Sequence, residues 1–361
     1  MRLKKLIADK IKKLIKKFIK LIEPKILIPK DEFSKENYGI ISRLEITYPI
    51  EPIANKNDFK KGIIDVFGIQ INFPFNLEKS IEGIKTVKSS IKHSGISYDE
   101  SYFRSYDGLE IPIYIIYPPN FNIKKKYPCI VIFSGHGSAK QVAFDENSYQ
   151  QAAGSSIAQQ GFLVYVMENR GMGKLSHLGN HLRIDAVARV SGGSWYGEIM
   201  TDALWLIENI HLESIVDTKR IGTAGVSTGG AISMITSAID KRIAASYVQG
   251  FLGSFRKTFG IRGGHCLCGH IPSILKLGDM SDIASLIAPR PVLFVNGTAD
   301  NFYYLDASQE FNKILATYKK LGVEDRSRFL TPKGVGHEFT VNKAINWFTQ
   351  WFFDKKTSNM F

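Results

Sequence analysis

Cysteine is scarce in this chain. Cys129, Cys266 and Cys268 are the only three in 361 residues. So few thiols exclude a disulfide framework and suit a reducing compartment, so a cytoplasmic location is expected. Cys129 falls in an apolar run and reads as a core thiol. No Walker-type phosphate loop, dinucleotide fingerprint or internal repeat occurs, which removes the common nucleotide-binding and solenoid readings. Several Gly-rich segments follow strand-like runs, but without the spacing those motifs need. The N-terminal stretch has no apolar run longer than three residues, so it holds neither a signal-peptide core nor a membrane span.

Charge is abundant but unevenly placed. The net charge is +13, and residues 1–30 hold eleven basic residues against two acids, Asp9 and Glu23. That segment supplies +9, and the remaining 331 residues supply only +4. The body is nearly neutral and carries no nucleic-acid footprint. Within the basic segment, Leu3, Ile7, Ile11, Leu14, Ile15, Phe18 and Ile22 recur at helical spacing, and lysines fill the opposite face until Pro24. The spacing predicts a cationic amphipathic helix over residues 3–22. Such a helix either lies on an anionic membrane surface, here the inner face, or docks on protein with its lysines in solvent. Sedimentation with anionic vesicles separates the two.

Residues 25–99 read as an N-terminal extension packed on the main domain, with strands expected in the alternating stretch Gly62–Phe73. No chemistry is legible there. From about residue 100 to 361, short apolar strands alternate with helices. Strands are expected over Glu110–Tyr117, Pro128–Phe133, Phe162–Glu168, Arg220–Val226, Ala244–Val248, Pro291–Asn296 and Arg326–Leu330. Helices are expected over Tyr149–Gln160, Glu198–Ile210, Leu305–Leu321 and Phe339–Phe353. This alternation predicts an α/β fold with a mostly parallel twisted sheet and helices on both faces. Residues 251–287 read as a cap-like insertion that sets substrate selectivity.

The chemistry centres on Gly225-Val226-Ser227-Thr228-Gly229. A strand that turns sharply into a helix strains its turn residue and lifts the hydroxyl clear of the sheet. Small residues two positions away on each side leave room for that turn. A serine nucleophile needs a base, and the base needs an orienting acid. In this fold class the order is Ser, acid, His. Asn296-Gly297-Thr298-Ala299-Asp300 follows a later strand, and Lys333-Gly334-Val335-Gly336-His337 follows the next. Ser227, Asp300 and His337 are therefore the candidate catalytic residues. Asp306 is the competing acid, although its place at the start of a helix suits an ordinary N-terminal carboxylate. The Thr228 N–H is one candidate oxyanion donor, with Gly137 or Ser138 as the second.

In these motifs and their order the chain resembles the α/β-hydrolase superfamily. Gly135-His136-Gly137-Ser138-Ala139-Lys140, Arg170-Gly171-Met172-Gly173 and the segment Ile283–Pro291 are similar to the bacterial acetyl xylan esterase and dienelactone-hydrolase-like group. The resemblance spans roughly residues 100 to 353. It implies a serine hydrolase that cleaves carboxylic esters, with acetyl and other small acyl groups favoured. Dienelactone hydrolase itself uses Cys, which disfavours that reaction here. The same three residues also serve thioesterases, acyltransferases and prolyl-oligopeptidase-like peptidases. From another class, a non-catalytic membrane-associated binding protein would have no need of all three. A fluorophosphonate probe separates these classes.

His136 is expected to shape the oxyanion loop. Arg170 either meets an anionic substrate or ties strand ends together. His265-Cys266-x-Cys268-x-His270 invites a metal reading, but its ligands are crowded into six residues, unlike the paired spacing of structural zinc sites. No metal or cofactor is expected, because the chemistry needs neither. The oligomeric state is left open.

Overall fold

The computed structural model describes residues 56–70, 82–261, 266–300 and 304–354. The amphipathic segment at residues 3–22 and most of the extension lie outside the described residues. No helix among the described residues is long and apolar enough to cross a membrane.

Among the described residues, nine strands form one sheet. They are β1 (Lys85–His93), β2 (Ile96–Arg104), β3 (Glu110–Ile116), β4 (Tyr127–Phe133), β5 (Leu163–Met167), β6 (Val216–Val226), β7 (Ile243–Gln249), β8 (Val292–Val295) and β9 (Ser327–Leu330). Their spatial order is β1-β2-β3-β5-β4-β6-β7-β8-β9. The first three strands and their junction to β5 are antiparallel, and every pairing from β5 to β9 is parallel. Among the described residues, the α-helices of six or more residues are α1 (Lys56–Phe67), α2 (Ala139–Phe144), α3 (Ala153–Ala158), α4 (His181–Val190), α5 (Trp195–Leu212), α6 (Thr228–Ile239), α7 (Met280–Ser285), α8 (Tyr304–Lys320) and α9 (Val341–Phe352).

The central strands are apolar on both faces because each face is covered. Along β4, Cys129, Val131 and Phe133 join one core with α5, α6 and α7. Ile130 and Ile132 join a second core with α2, α3 and α9. This two-residue alternation between two cores gives a sheet sandwiched by helices. The expected α/β architecture is present. The outer strand β1 differs: all its residues but one are exposed.

Three readings need correction. The strands expected over Gly62–Phe73 are replaced in the described part by α1, because Phe59, Ile63 and Phe67 are buried at spacings of four. The helix expected over Tyr149–Gln160 is only Ala153–Ala158, since Gln151 and Ala152 take left-handed φ values of 55° and 44°. The boundary at 99/100 falls inside β2, so residues 85–99 belong to the sheet. Between β7 and β8, Phe251, Leu252, Phe255, Phe259, Ile271 and Ile274 are core residues. The expected cap segment is thus anchored on the α5–α6 side of the sheet.

Candidate active site

The β6–α6 junction is built by close packing. Ser227 sits at φ 62° and ψ −126°, a backbone conformation that a β-carbon disfavours. A β-carbon on Gly225 would lie 2.2 Å from the Gly229 carbonyl carbon, and one on Gly229 would lie 2.1 Å from the Phe133 oxygen. Glycine is therefore required at both places for the helix to start against the sheet. Serine is a favoured helix cap, yet the Ser227 side chain makes no cap hydrogen bond to α6. Its backbone N–H donates to the Gln249 carbonyl at 2.9 Å, which pins the turn to the end of β7.

The next residue, Gly250, is the floor on which the acid and the histidine meet. A β-carbon there would lie 3.1 Å from His337 Nδ1 and 3.2 Å from Asp300 Oδ2. His337 Nδ1 and Asp300 Oδ2 are 2.8 Å apart, with side-chain exposures of 23% and 1%. Two backbone bonds join their loops: Thr298 N–H to Pro332 O at 3.1 Å, and Ala299 N–H to Val335 O at 2.9 Å. The structure thus brings Asp300 and His337 together beside the Ser227 turn. Asp306 is placed elsewhere: buried on the first turn of α8, it accepts the Ser254 hydroxyl at 2.5 Å.

The expected oxyanion donors divide. Thr228 is the first residue of α6, so its N–H has no acceptor within the helix. Gly137 and Ser138 are both engaged. The Gly137 N–H donates to Gly135 O at 2.9 Å. The Ser138 N–H donates to Gln141 Oε1 at 3.0 Å, as half of the capping box that starts α2. The remaining N–H of this turn, on His136, faces the Tyr149 phenol. Burial pushes that phenol above its ordinary pKa. The Tyr149 ring also stacks on His337, with centroids 6.0 Å apart. His136 Nδ1 reaches Thr228 Oγ1 at 3.0 Å, so the loop side chain touches the residue after the serine.

Residues 82–279 match the acetyl xylan esterase family, AXE1. The chain belongs to that family. The matched part includes Ser227 and stops short of Asp300 and His337. Among curated relatives, the Bacillus subtilis protein YtaP, named as a hydrolase, is 29% identical over 170 residues, 45% of this chain and 56% of its own. Dipeptidyl-peptidase 5 of Porphyromonas gingivalis is 26% identical over 151 residues, 42% of this chain and 20% of its own. The chain therefore spans about half the length of the first of these and a fifth of the second. Among solved structures, a Bacteroides fragilis protein named as an acetyl xylan esterase superposes with TM-score 0.71 at 15% identity, over 90% of this chain and 96% of its own. The glucuronoyl esterase of Solibacter usitatus gives 0.60 at 13%, over 84% and 95%. At such identities the likeness is one of fold, which is that of the α/β hydrolases.

Within this acetyl xylan esterase family chain, Arg170 is a tie between segments. Its Nε and Nη2 donate to Asp202 at 2.7 and 2.8 Å, and Nη1 and Nη2 donate to Asp107 at 2.6 and 3.1 Å. Glu198 lies 3.5 Å away, and the Tyr106 ring packs on the guanidinium. The fork is filled by carboxylates, which leaves no role in binding an anion. Asp202 has 0% side-chain exposure against 35% for Asp107. Asp202→Ala should therefore destabilise the fold by about 3–5 kcal/mol, since it leaves a buried cation short of a partner. Asp107→Ala should cost clearly less. Urea midpoints of the two variants check the ranking.

Several positioning groups were not legible in the sequence. Gln249, at the end of β7, donates to Glu338 O and accepts from the Thr340 N–H at 2.8 Å, holding the backbone that immediately follows His337. Glu168, at the end of β5, accepts from the Ala139 and Lys174 N–H groups at 2.9 and 3.1 Å. Burial lifts its pKa while those bonds partly oppose the rise. Helix α4 was missed as part of the site surroundings. Its Arg189 donates to His270 O at 2.7 Å and so holds the cap segment.

Proposed function

We propose that the protein is a serine esterase acting on acetyl or other small acyl esters. The observation that carries this reading is the Asp300–His337 pair, seated on Gly250 beside the residue whose carbonyl holds the Ser227 turn. With Nδ1 facing Asp300, His337 has Nε2 for the serine. Ser227 Oγ attacks the acyl carbon and its proton passes to Nε2. Collapse of the tetrahedral intermediate expels the alcohol, which takes that proton. Water then gives its proton to Nε2, attacks the acyl-enzyme, and the acid leaves as Ser227 recovers the proton. Asp300 holds the tautomer and stabilises the imidazolium without being protonated itself.

For the oxyanion, the Thr228 N–H is one donor. The second moves from Gly137 and Ser138 to the His136 N–H: the first two donate within their own loop and capping box, whereas the partner of the His136 N–H is the separate Tyr149 phenol. The Tyr149 phenol now shares that N–H. Tyr149→Phe should therefore retain turnover on an aryl acetate within a few-fold. A fall of about 10²–10³ in kcat, the usual effect of losing one oxyanion donor, would assign the role to the phenol instead.

Support for the ester reading comes from the family match, and support for a small acyl group from the names of the family and of a structural neighbour. The dipeptidyl-peptidase relative supports a peptidase alternative through the same acyl chemistry. Covalent labelling by a fluorophosphonate, located at Ser227 by peptide mapping, tests the nucleophile. A series of aryl esters of increasing acyl length, run beside aminoacyl arylamides, tests the substrate class. Cleavage of the amides in preference to acetyl esters would overturn the proposal.

A further inference from the structure

Four side chains from three distant segments converge beside the serine turn. They are His136 from the β4–α2 loop, His181 at the start of α4, and Cys266 and Cys268 from the cap segment. Their ligand atoms all lie within 4.8 Å of one another. His181 Nε2 is 3.1 Å from Cys266 Sγ, His136 Nε2 is 3.5 Å from Cys268 Sγ, and the two sulfurs are 3.0 Å apart. The cysteines are not disulfide-bonded.

We infer that these four residues form a structural zinc site. Zinc bound at about 2.3 Å to sulfur and about 2.0–2.1 Å to nitrogen, in a tetrahedron, separates its ligands by about 3.3–3.8 Å. The His136–Cys268 edge of 3.5 Å falls within that range, and the His181–Cys266 and Cys266–Cys268 edges of 3.1 and 3.0 Å are shorter. All four ligand atoms lie within 4.8 Å of one another, so small side-chain shifts would complete the tetrahedron. Two thiolates and two imidazoles form a donor set that favours zinc over hard cations such as magnesium or calcium, and the thiolates neutralise the ion. Four protein ligands leave no open position, so the site is of the closed, structural kind.

Read along the chain alone, the 265–270 stretch is too crowded for such a site. The fold resolves this by using only its two cysteines and taking both histidines from elsewhere. His270 is occupied otherwise, with Nδ1 on Cys266 O and Nε2 on Phe259 O, each at 3.2 Å. The inference thus reverses the expectation that this chain has no metal.

The surroundings fit a ligand role. His136 would bind through Nε2 while Nδ1–H donates to Thr228 Oγ1, the outer hydrogen bond that fixes the tautomer of a metal-bound histidine. The His136 and His181 rings are 4.8 Å apart, and both pack against the buried Trp195, which limits their motion. The ion would clamp the cap segment and α4 to the loop next to the nucleophile. It stands outside the acyl chemistry and needs no substrate to be detected.

The test uses the full chain, expressed with zinc and purified without chelator under reducing conditions. Elemental analysis should give about one zinc per chain. Chelation followed by cobalt should give the visible and thiolate charge-transfer bands of a tetrahedral sulfur-nitrogen site. The Cys266→Ser, Cys268→Ser double variant and His181→Ala should each lose stoichiometric zinc or the full cobalt signature. Folding of both is verified by far-UV circular dichroism. Should the double variant not fold, the wild-type metal content and cobalt spectrum decide. The inference is overturned if the reduced wild-type protein holds well under a tenth of an equivalent of zinc and gives no cobalt band. It is also overturned if mass analysis of the native protein finds Cys266 and Cys268 joined as a disulfide. Zinc retained at full stoichiometry by the folded double variant would overturn it equally.

Discussion

Ser227→Ala should reduce ester turnover by several orders of magnitude, on the order of 10⁶ in kcat for a serine acting with its full set of partners. The fold should be intact. The Ser227 hydroxyl makes no cap bond to α6, so alanine removes no helix-starting interaction. Alanine also occupies the same left-handed backbone with the same β-carbon, which leaves the strain at φ 62° unchanged. Thermal unfolding should therefore shift little while the rate collapses. Single-turnover assays and a melting curve on the same preparation check both halves. Ester hydrolysis within tenfold of the parent protein would remove Ser227 from the chemistry.

Asp300→Asn is the second large effect. The amide can occupy the same space against His337 Nδ1, but its NH₂ or its neutral oxygen no longer selects and stabilises the required imidazole. The loss should fall on kcat, at about 10³–10⁴-fold, with KM little changed. Asp306→Asn should leave kcat nearly intact, because Asp306 receives the Ser254 hydroxyl and does not face His337 in the way Asp300 does. Its cost should appear as lost stability. If Asp306→Asn proves the more damaging to kcat, the acid has been misplaced.

The legible parts of this protein were those governed by local pattern. Alternation along β4 and β5, and the glycines flanking Ser227, are short-range constraints, so the central sheet and its sharp turn could be read directly. The order Ser227, Asp300, His337 was legible because each follows a strand in the parallel part of the sheet. What escaped depends on contacts between distant segments. Gln249 looks like any polar strand end until its amide is seen holding Glu338 and Thr340, just after His337. Gly137 and Ser138 were plausible oxyanion donors until the capping box of α2 claimed one N–H and the turn itself the other. The α1 segment was misread because the β-branched Ile63, Ile64 and Val66 favour strands locally, whereas burial of Phe59, Ile63 and Phe67 follows the helical period. Cys266 and Cys268 could not be matched with His136 and His181, which lie 132 and 85 positions away from the sulfurs they meet.

The outer strand β1 bears on self-association. A sheet edge exposes unpaired N–H and C=O groups, which another edge can join. Among the described residues, β1 is one end of this sheet, and Lys85, Lys88 and Lys92 punctuate it. Joining two copies through β1 would bring two sets of lysines side by side with little apolar surface to offset their repulsion. Behind it, β2 and β3 carry the buried Phe103, Ile111, Ile113 and Ile115. The exposed, cationic strand therefore works as a terminator for the sheet: it completes the pairing of β2 and offers a poor template for a tenth strand from another molecule.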